Sequence, residues 1–415
     1  MRRFLSQNLP LLRAYAVAIA ARLGLAAVAF VAYYRYPILA PDPSPQYHLP
    51  ELSVLGNRLL SVWANWDGTW YLKIADQGYQ ADPRSLAFFP LYPELTRVLA
   101  LGLGRNYLVA GLAISTLMCA AAVFTFFRLV RLDFQEATAE RAVVYAFLFP
   151  TAFFYFASYT EALFLALTLL AFYWARHGRW WLAAIVCALA ALTRSMGVLV
   201  VIPLGIEWVI ARRATVTQPP SPGETRRAGL FRMLWHPSTL SFLLPVAALV
   251  GWLLYAQATY GSAITPLSAV GFWTRSFNWP WLTVLDGIRV IFVPGPYGLP
   301  VLGTRAFHVS NVADLLFFIF CWTMFVSGFL MVRRGQLRLS YWVYAGIGLI
   351  FPLLNPTQYS PLDSYPRYVL VLFPLFIVLA RLAQQKPWRH YLYLGVSVPL
   401  LGLLFARFAN WFWVA

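Results

Sequence analysis

The sequence predicts an all-α polytopic membrane protein, and three observations carry that prediction. Of the 415 residues, 60% are hydrophobic and only 11% are charged, less than half of the roughly 25% usual in soluble domains. Mean hydropathy is +0.64. Apolar runs of the length a bilayer requires, about 20 residues, recur from one end of the chain to the other, and the arginines collect where those runs stop.

The basic clusters set the order of the spans. They fall at Arg2, Arg3 and Arg13, at Arg128, Arg131 and Arg141, at Arg176 and Arg179, at Arg212, Arg213, Arg226, Arg227 and Arg232, at Arg333, Arg334 and Arg338, and at Arg381, Lys386 and Arg389. With every cluster on the cytoplasmic side, the chain reads as about 11 transmembrane helices, roughly 12–34, 106–127, 142–157, 160–175, 180–193, 196–210, 238–257, 312–332, 340–355, 368–382 and 391–412. The run Trp180–Ile210 is too long for one span and carries arginine at both ends, so it reads as two short helices turning at TRSMG, Thr193–Gly197, as tolerated where helices line a cavity inside protein. The first run, Ala14–Ala32, spans rather than being cleaved, since no A-x-A-like exit follows it. Residues 1–415 then form a single transmembrane domain with a first extracytoplasmic loop at 35–105, a cytoplasmic linker at 211–237 and a second extracytoplasmic loop at 258–311.

Composition also excludes functions. The net charge of +17 is spread over span ends rather than gathered in a patch with interleaved aromatics, which argues against nucleic acid. Cys119, Cys187 and Cys321 stand singly in apolar segments and read as small buried hydrophobes, giving neither a zinc site nor a disulfide framework. His48 and His308 are isolated, so no metal-ligand spacing is expected.

Chemistry concentrates in a few stretches. In WDGTWYLKIADQGY, Trp66–Tyr79, the residues Trp70, Tyr71, Ile74 and Ala75 share a face and Gly78 ends the pattern, which predicts a short amphipathic helix in the membrane interface. Asp67 opens it, either as a helix N-cap or as a carboxylate held at the boundary as a general base. AFFPLYPELTR, Ala87–Arg97, predicts an interfacial aromatic anchor leading into a helix, with Glu94 in the first turn where the macrodipole favours an acid. FPTAFFYFASYTEALF, Phe149–Phe164, contains S-Y-T-E, a capping box from Ser158 to Glu161, although an acid at the mouth of a membrane cavity is costly unless it is used. Arg194, between two apolar helices, and Arg367, behind Pro366, break the positive-inside trend. A bound phosphate would offset that cost, the bland alternatives for Arg367 being a salt bridge to Asp363 or a lipid headgroup. These residues describe an outward cavity with a candidate base, a cationic phosphate pocket and aromatic walls, which fits a transferase with a lipid-phosphate-linked donor and fits a lipid or ion transporter nearly as well.

Taken in order, WDGTWYLKIADQGY, AFFPLYPELTR, FPTAFFYFASYTEALF, LTRSMG and YPRYVLVLFPLF resemble the PIG-V mannosyltransferases of the GT-C glycosyltransferase superfamily, and the resemblance runs over nearly the whole chain. It implies a GT-C-type fold and transfer of a sugar, most simply mannose, from a polyprenyl or dolichyl phosphate to an acceptor hydroxyl. The acceptor would be a glycolipid, a glycan or a protein, and the reaction would take place on the extracytoplasmic side with inversion at C1. It implies Asp67 as the catalytic base, and Arg367 and Arg194 at the donor phosphate. Trp66, Glu161, Tyr159, Tyr92 and Tyr365 complete the candidate substrate-binding set, with Trp70 read as an interface anchor. No cofactor beyond the lipid-linked donor is implied. The 30 Arg against 2 Lys point to a prokaryotic relative in a cytoplasmic membrane. The competing class is a transporter or flippase for lipid-linked or small polar substrates, which would show mid-span polar residues and an internal repeat.

Overall fold

A computed structural model describes residues 2–35, 59–216, 236–292, 305–357 and 360–414, and its regular structure is helical, with one isolated bridge between Arg275 and Thr357. Residues 36–58, most of the linker (217–235) and 293–304 lie outside the described set, as do His48 and the side chain of His308. The principal helices are α1 (Arg2–Arg35), α2 (Asp67–Gln77), α3 (Leu91–Leu101), α4 (Tyr107–Val130), α5 (Glu136–Phe147), α6 (Glu161–Arg176), α7 (Trp180–Ala191), α8 (Val201–Val216) and α9 (Leu243–Tyr260). They continue as α10 (Pro280–Phe292), α11 (Arg305–Arg333), α12 (Leu339–Ile350), α13 (Tyr365–Val369), α14 (Phe373–Gln385) and α15 (Pro387–Ala409).

Local signals place several of the ends. The Asn106 side chain accepts from the Val109 N–H at 3.0 Å and caps α4. Gly78, at φ 79°, stops α2 by returning its N–H to the Ile74 carbonyl. Six stretches among the described residues are long and apolar enough to cross a membrane: Asn8–Ala32, Tyr107–Val130, Ser195–Arg213, Pro237–Tyr260, Asn311–Arg333 and Pro387–Ala409. Trp180–Ala191, Leu339–Leu354 and Phe373–Gln385 are shorter apolar helices.

The stretch read as a span at 142–157 is not a continuous helix. Its helix, α5, stops at Phe147, three residues before Pro150, whose missing N–H and ring would break it. Residues 148–160 then run as turns through the buried centre of the protein. Their polar groups find partners inside: the Ser158 N–H donates to the Trp63 carbonyl at 2.8 Å, Ser115 Oγ to Ala157 at 2.7 Å, and Cys119 Sγ to Tyr155 at 3.0 Å. Irregular backbone survives in a membrane protein only when it is satisfied in this way. Cys187 and Cys321 are buried and unpaired as well.

The α6 helix is the buried axis, packed against α4 and α7. Each of its ends holds an ionic cluster, and at 1.5 Å per residue the two lie about 22 Å apart. At the later end Arg176 grips Asp133 at 2.6 and 2.8 Å and donates to Tyr341 Oη at 3.0 Å. Nearby, Arg338 forks onto Glu207 at 2.7 and 2.8 Å. The earlier end is the site described below.

The turn expected at TRSMG is present: α7 ends at Ala191, a short 3-10 segment covers Ser195–Val200, and α8 follows. Its closeness depends on Gly197, where an added Cβ would sit 2.1 Å from the Ala190 carbonyl oxygen. Gly197→Ala is therefore expected to destabilise the protein by about 1–3 kcal/mol, the usual cost of overpacking, read as a lowered midpoint in detergent thermal unfolding. An unchanged midpoint would show that the turn relaxes freely.

Candidate active site

Four separate segments meet at the first turn of α6. Asp67 is the first residue of α2, Glu161 the first of α6, Arg194 follows α7, and Arg367 lies in α13. Arg367 Nη1 reaches Asp67 Oδ2 at 2.5 Å while its Nε reaches Glu161 Oε1 at 2.5 Å. Arg194 Nη1 donates to the same Oε1 at 2.6 Å and to Thr160 Oγ1 at 3.2 Å. Two carboxylates and two guanidiniums form one neutral chain, which is what permits Glu161 to be wholly buried. Among the described residues Glu161 Oε2 has no hydrogen-bond partner.

Aromatic rings wall this chain. The Arg367 guanidinium lies 4.6 Å from the centre of the Tyr159 ring and 5.1 Å from that of Phe154. Tyr159 Oη donates to the Asn65 carbonyl at 2.7 Å, and Gly68 leaves room for its ring, since a Cβ there would come within 3.3 Å of Tyr159 Cε2. The position of α2 is set from its other side. Arg97 donates to the Ala75 and Ile74 carbonyls at 2.8 and 2.7 Å, and Asp82 joins Lys73 at 3.0 Å to Arg84 at 2.8 Å. Burial pushes the Asp82 carboxyl up, but the hydrogen bonds from Arg84 and Lys73 outweigh it and hold the group at about 2.

Beside the cluster is a cavity of about 270 Å³ lined by Asp67, Arg367, Arg275, Asp363, Ser364 and Tyr368, with Phe88, Trp273 and Trp413 among its aromatic walls. A larger opening of about 540 Å³ lies at the opposite end of α6, but Arg338 and Asp133 there are engaged in the Arg176 network and Arg381 donates to Gln384 Oε1 at 3.1 Å. Among the described residues no group of three or more His, Cys, Asp or Glu is arranged to hold a metal ion.

Several expectations are corrected by these contacts. Asp67 is not an N-cap: Trp66 occupies that position without a side-chain cap, and the carboxylate turns to Arg367. Ser158 to Glu161 is not a capping box, because Thr160 precedes the helix and Glu161 faces the two arginines. The Arg367 guanidinium pairs with Asp67 and Glu161 rather than Asp363, whose partners include Trp413 Nε1 at 2.6 Å, Ser364 Oγ at 3.4 Å and, more distantly, Arg275 at 3.8 Å. Burial raises the Asp363 carboxyl above its ordinary range against the pull of Arg275.

Trp70 is no interface anchor. It is buried, stacked on Phe88 at 5.4 Å and edge-on to Trp273 at 5.6 Å, so the expected amphipathic face of α2 is covered by protein, and Phe88, Phe89 and Tyr92 are buried likewise. Of the aromatic candidates, Tyr92 spends its hydroxyl on Gly111 at 2.9 Å and Tyr365 on Leu349 at 3.3 Å, both away from the cavity. Trp66 packs on Trp411 and Trp413 at 5.7 and 5.0 Å. Glu94 does stand in the first turn of α3, paired with Arg97 at 3.3 Å.

Arg275, Trp273 and Trp413 were not singled out by the sequence, and Asp363 entered only as an alternative partner for Arg367. What links them is backbone conformation. Of the five non-glycine residues with positive φ among the described residues, four flank the cavity: Trp66 at 59°, Thr274 at 57°, Ser364 at 64° and Trp411 at 61°. Such conformations cost on the order of 1–3 kcal/mol each and cluster at functional sites.

The fold and this site define a polytopic membrane protein with a charged, aromatic-walled cavity beside one end of its central helix. Residues 42–209 match the family model for mannosyltransferase (PIG-V), so that stretch of the chain is similar to the PIG-V mannosyltransferases. This supports glycosyltransferase activity. The match contains Asp67, Glu161 and Arg194, while Arg367 lies beyond it. No curated protein matches the chain.

Two outcomes test the cluster. Glu161→Gln is expected to destabilise the protein by about 3–5 kcal/mol, since it leaves two guanidiniums without their shared buried counter-ion; Asp67→Asn, removing an end member, should cost clearly less. Thermal midpoints in one detergent measure the order, and equal values would refute a hub at Glu161. Because the Asp82 carboxyl is depressed in the folded state, its stabilisation is complete above the ordinary carboxylate range and is lost as pH falls toward 2. Asp82→Asn should lower the melting temperature at neutral pH and flatten its decline over that acid interval.

Proposed function

We propose that the protein transfers mannose from a polyprenyl-phosphate donor to an acceptor hydroxyl on the extracytoplasmic side of the membrane, with inversion at C1. The observation that carries this reading is the contact between Asp67 and Arg367 in the wall of one small cavity, Asp67 lying within the matched family segment. The acceptor oxygen attacks C1, Asp67 takes its proton, and the C1–O bond to phosphate breaks with its electron pair passing to the phosphate oxygen. Arg367 stabilises the charge that develops there. Before the donor arrives Arg367 is held by Asp67; the donor phosphate takes over that contact and leaves Asp67 facing the acceptor. Glu161 and Arg194 act one step removed, fixing the Arg367 guanidinium through Glu161 Oε1.

The cavity, at about 270 Å³, lies just below the roughly 300–1,000 Å³ of drug-sized pockets and suits one sugar ring with the lipid outside. A GT-C topology of about 11 crossings, completed by the short helices α5, α6, α7, α12 and α14, places the loops at 35–105 and 258–311 on the catalytic side and the linker at 211–237 in the cytoplasm. The acceptor is a glycolipid, glycan or protein, and the arginine-rich composition favours a prokaryotic cytoplasmic membrane.

In nanodiscs with sugar-labelled polyprenyl-phosphate mannose and membrane-extract acceptors, wild-type protein is expected to release polyprenyl phosphate. Asp67→Asn should lose about a hundredfold or more of that rate, within the range of general-base catalysis, while keeping its fold. Equal turnover by the two proteins would leave Asp67 a purely structural ion-pair partner.

A further inference from the structure

We propose that Arg275 is the second cation of the donor phosphate site, lining the same cavity as Arg367 in the place that sequence alone offered to Arg194. The proposal rests on the lipid-phosphate reading of the site and adds a residue to it. Arg194 is not part of the cavity lining, whereas Arg275 and Arg367 both are.

The two lining arginines differ in how far they are committed. Arg367 makes two carboxylate contacts at 2.5 Å. Arg275 has its carboxylate at 3.8 Å, and its hydrogen bonds go to neutral oxygens, the Asn355 carbonyl at 3.1 Å and Ser364 Oγ at 3.4 Å. Its counter-ion is shared, because Trp413 Nε1 donates to Asp363 Oδ1 at 2.6 Å and Ser364 Oγ to Asp363 Oδ2 at 3.4 Å. Among the described residues the nearest carboxylate oxygen to this guanidinium is 3.8 Å away, and a guanidinium so loosely paired, 16% exposed along its side chain at the edge of a cavity, is suited to a further anionic oxygen.

The chain also invests in aiming Arg275. Thr274 takes a left-handed conformation immediately before it. The backbone of 275–278 is laid along 354–357, through the Arg275–Thr357 bridge, the Ser276 N–H to Pro356 at 3.3 Å and the Asn278 N–H to Leu354 at 3.1 Å. On the other side Trp273 is set edge-on against Trp70 and Phe88, each at 5.6 Å. A solvent-facing arginine would need none of this. Two guanidinium forks lining one cavity can each engage a non-bridging oxygen of one phosphate diester, with Arg275 engaged as Arg367 exchanges Asp67 for phosphate.

The test is binding of polyprenyl phosphate and of the uncharged polyprenol to the full chain in phosphatidylcholine nanodiscs, for wild type, Arg275→Gln and Arg275→Lys. The ratio of the two affinities reads the phosphate site and is unmoved by a change that merely loosens the fold. Wild type should prefer the phosphate; Arg275→Gln should lose about tenfold or more of that preference, as for a charged hydrogen bond, and Arg275→Lys should lose less. Both variants should bind polyprenol like wild type. A preference retained by Arg275→Gln overturns this proposal and leaves the lipid-phosphate reading standing. A wild type without preference overturns both. Competition by excess phosphatidylglycerol or inorganic phosphate would show a site for any phosphate and overturn the assignment to the donor.

Discussion

A single buried oxygen, Oε1 of Glu161, organises this protein. It receives Arg194 from the end of α7 and Arg367 from α13, and through Arg367 it reaches Asp67 at the start of α2. A carboxylate inside an apolar helical bundle is tolerable only with its charge met at close range, so these helix ends must converge. The convergence in turn explains why α6 starts where it does: the residues before it are committed to turns whose backbone is satisfied by Trp63, Ser115 and Cys119.

The same constraint accounts for the irregular backbone around the site. Helices present side chains along their flanks, but a cavity between helix ends needs groups delivered from loops, and loops deliver them by departing from common backbone geometry. Trp66 turns the chain into Asp67, Thr274 into Arg275, Ser364 separates Asp363 from α13, and Trp411 leads to Trp413. Helix packing stores this strain: Asn65 Nδ2 is held by the Phe408 carbonyl at 3.0 Å, and Trp63 lies 4.4 Å from Phe405, which locks the start of α2 to the end of α15.

Neutrality of the cluster has a chemical consequence. Asp67 and Arg367 restrain each other, and under the proposed function a phosphate that engages the arginine would release the carboxylate. In the proposed reaction this coupling would let one binding event assemble both halves of a displacement, the group that receives a proton and the group that accepts negative charge. Glu161 stays out of the exchange because it has no contact with the cavity; its role is to keep the guanidinium oriented.

Much of this was legible in the residues themselves. Low charge and long apolar runs determined a helical membrane protein, Gly78 determined the end of α2, and the doubled turn at Thr193–Gly197 followed from run length and arginine placement. Asp67, Glu161, Arg194 and Arg367 stood out because charge is scarce and conspicuous in such a chain, and all four meet. What they do to one another was not legible: local rules made a cap of Asp67 and a capping box of Glu161, since sequence neighbours are all that local rules see. Partners 206 and 300 residues away prevailed because burial makes an ion pair imperative where water would have made it optional. Arg275, Asp363 and Trp413 carry no motif at all, and Trp70 reads as a lipid-facing residue until Phe88 and Trp273 are folded against it. Composition and spacing determined which groups the protein had to shelter; only the tertiary structure decided which of them share a cavity, because that depends on where distant helix ends are brought together.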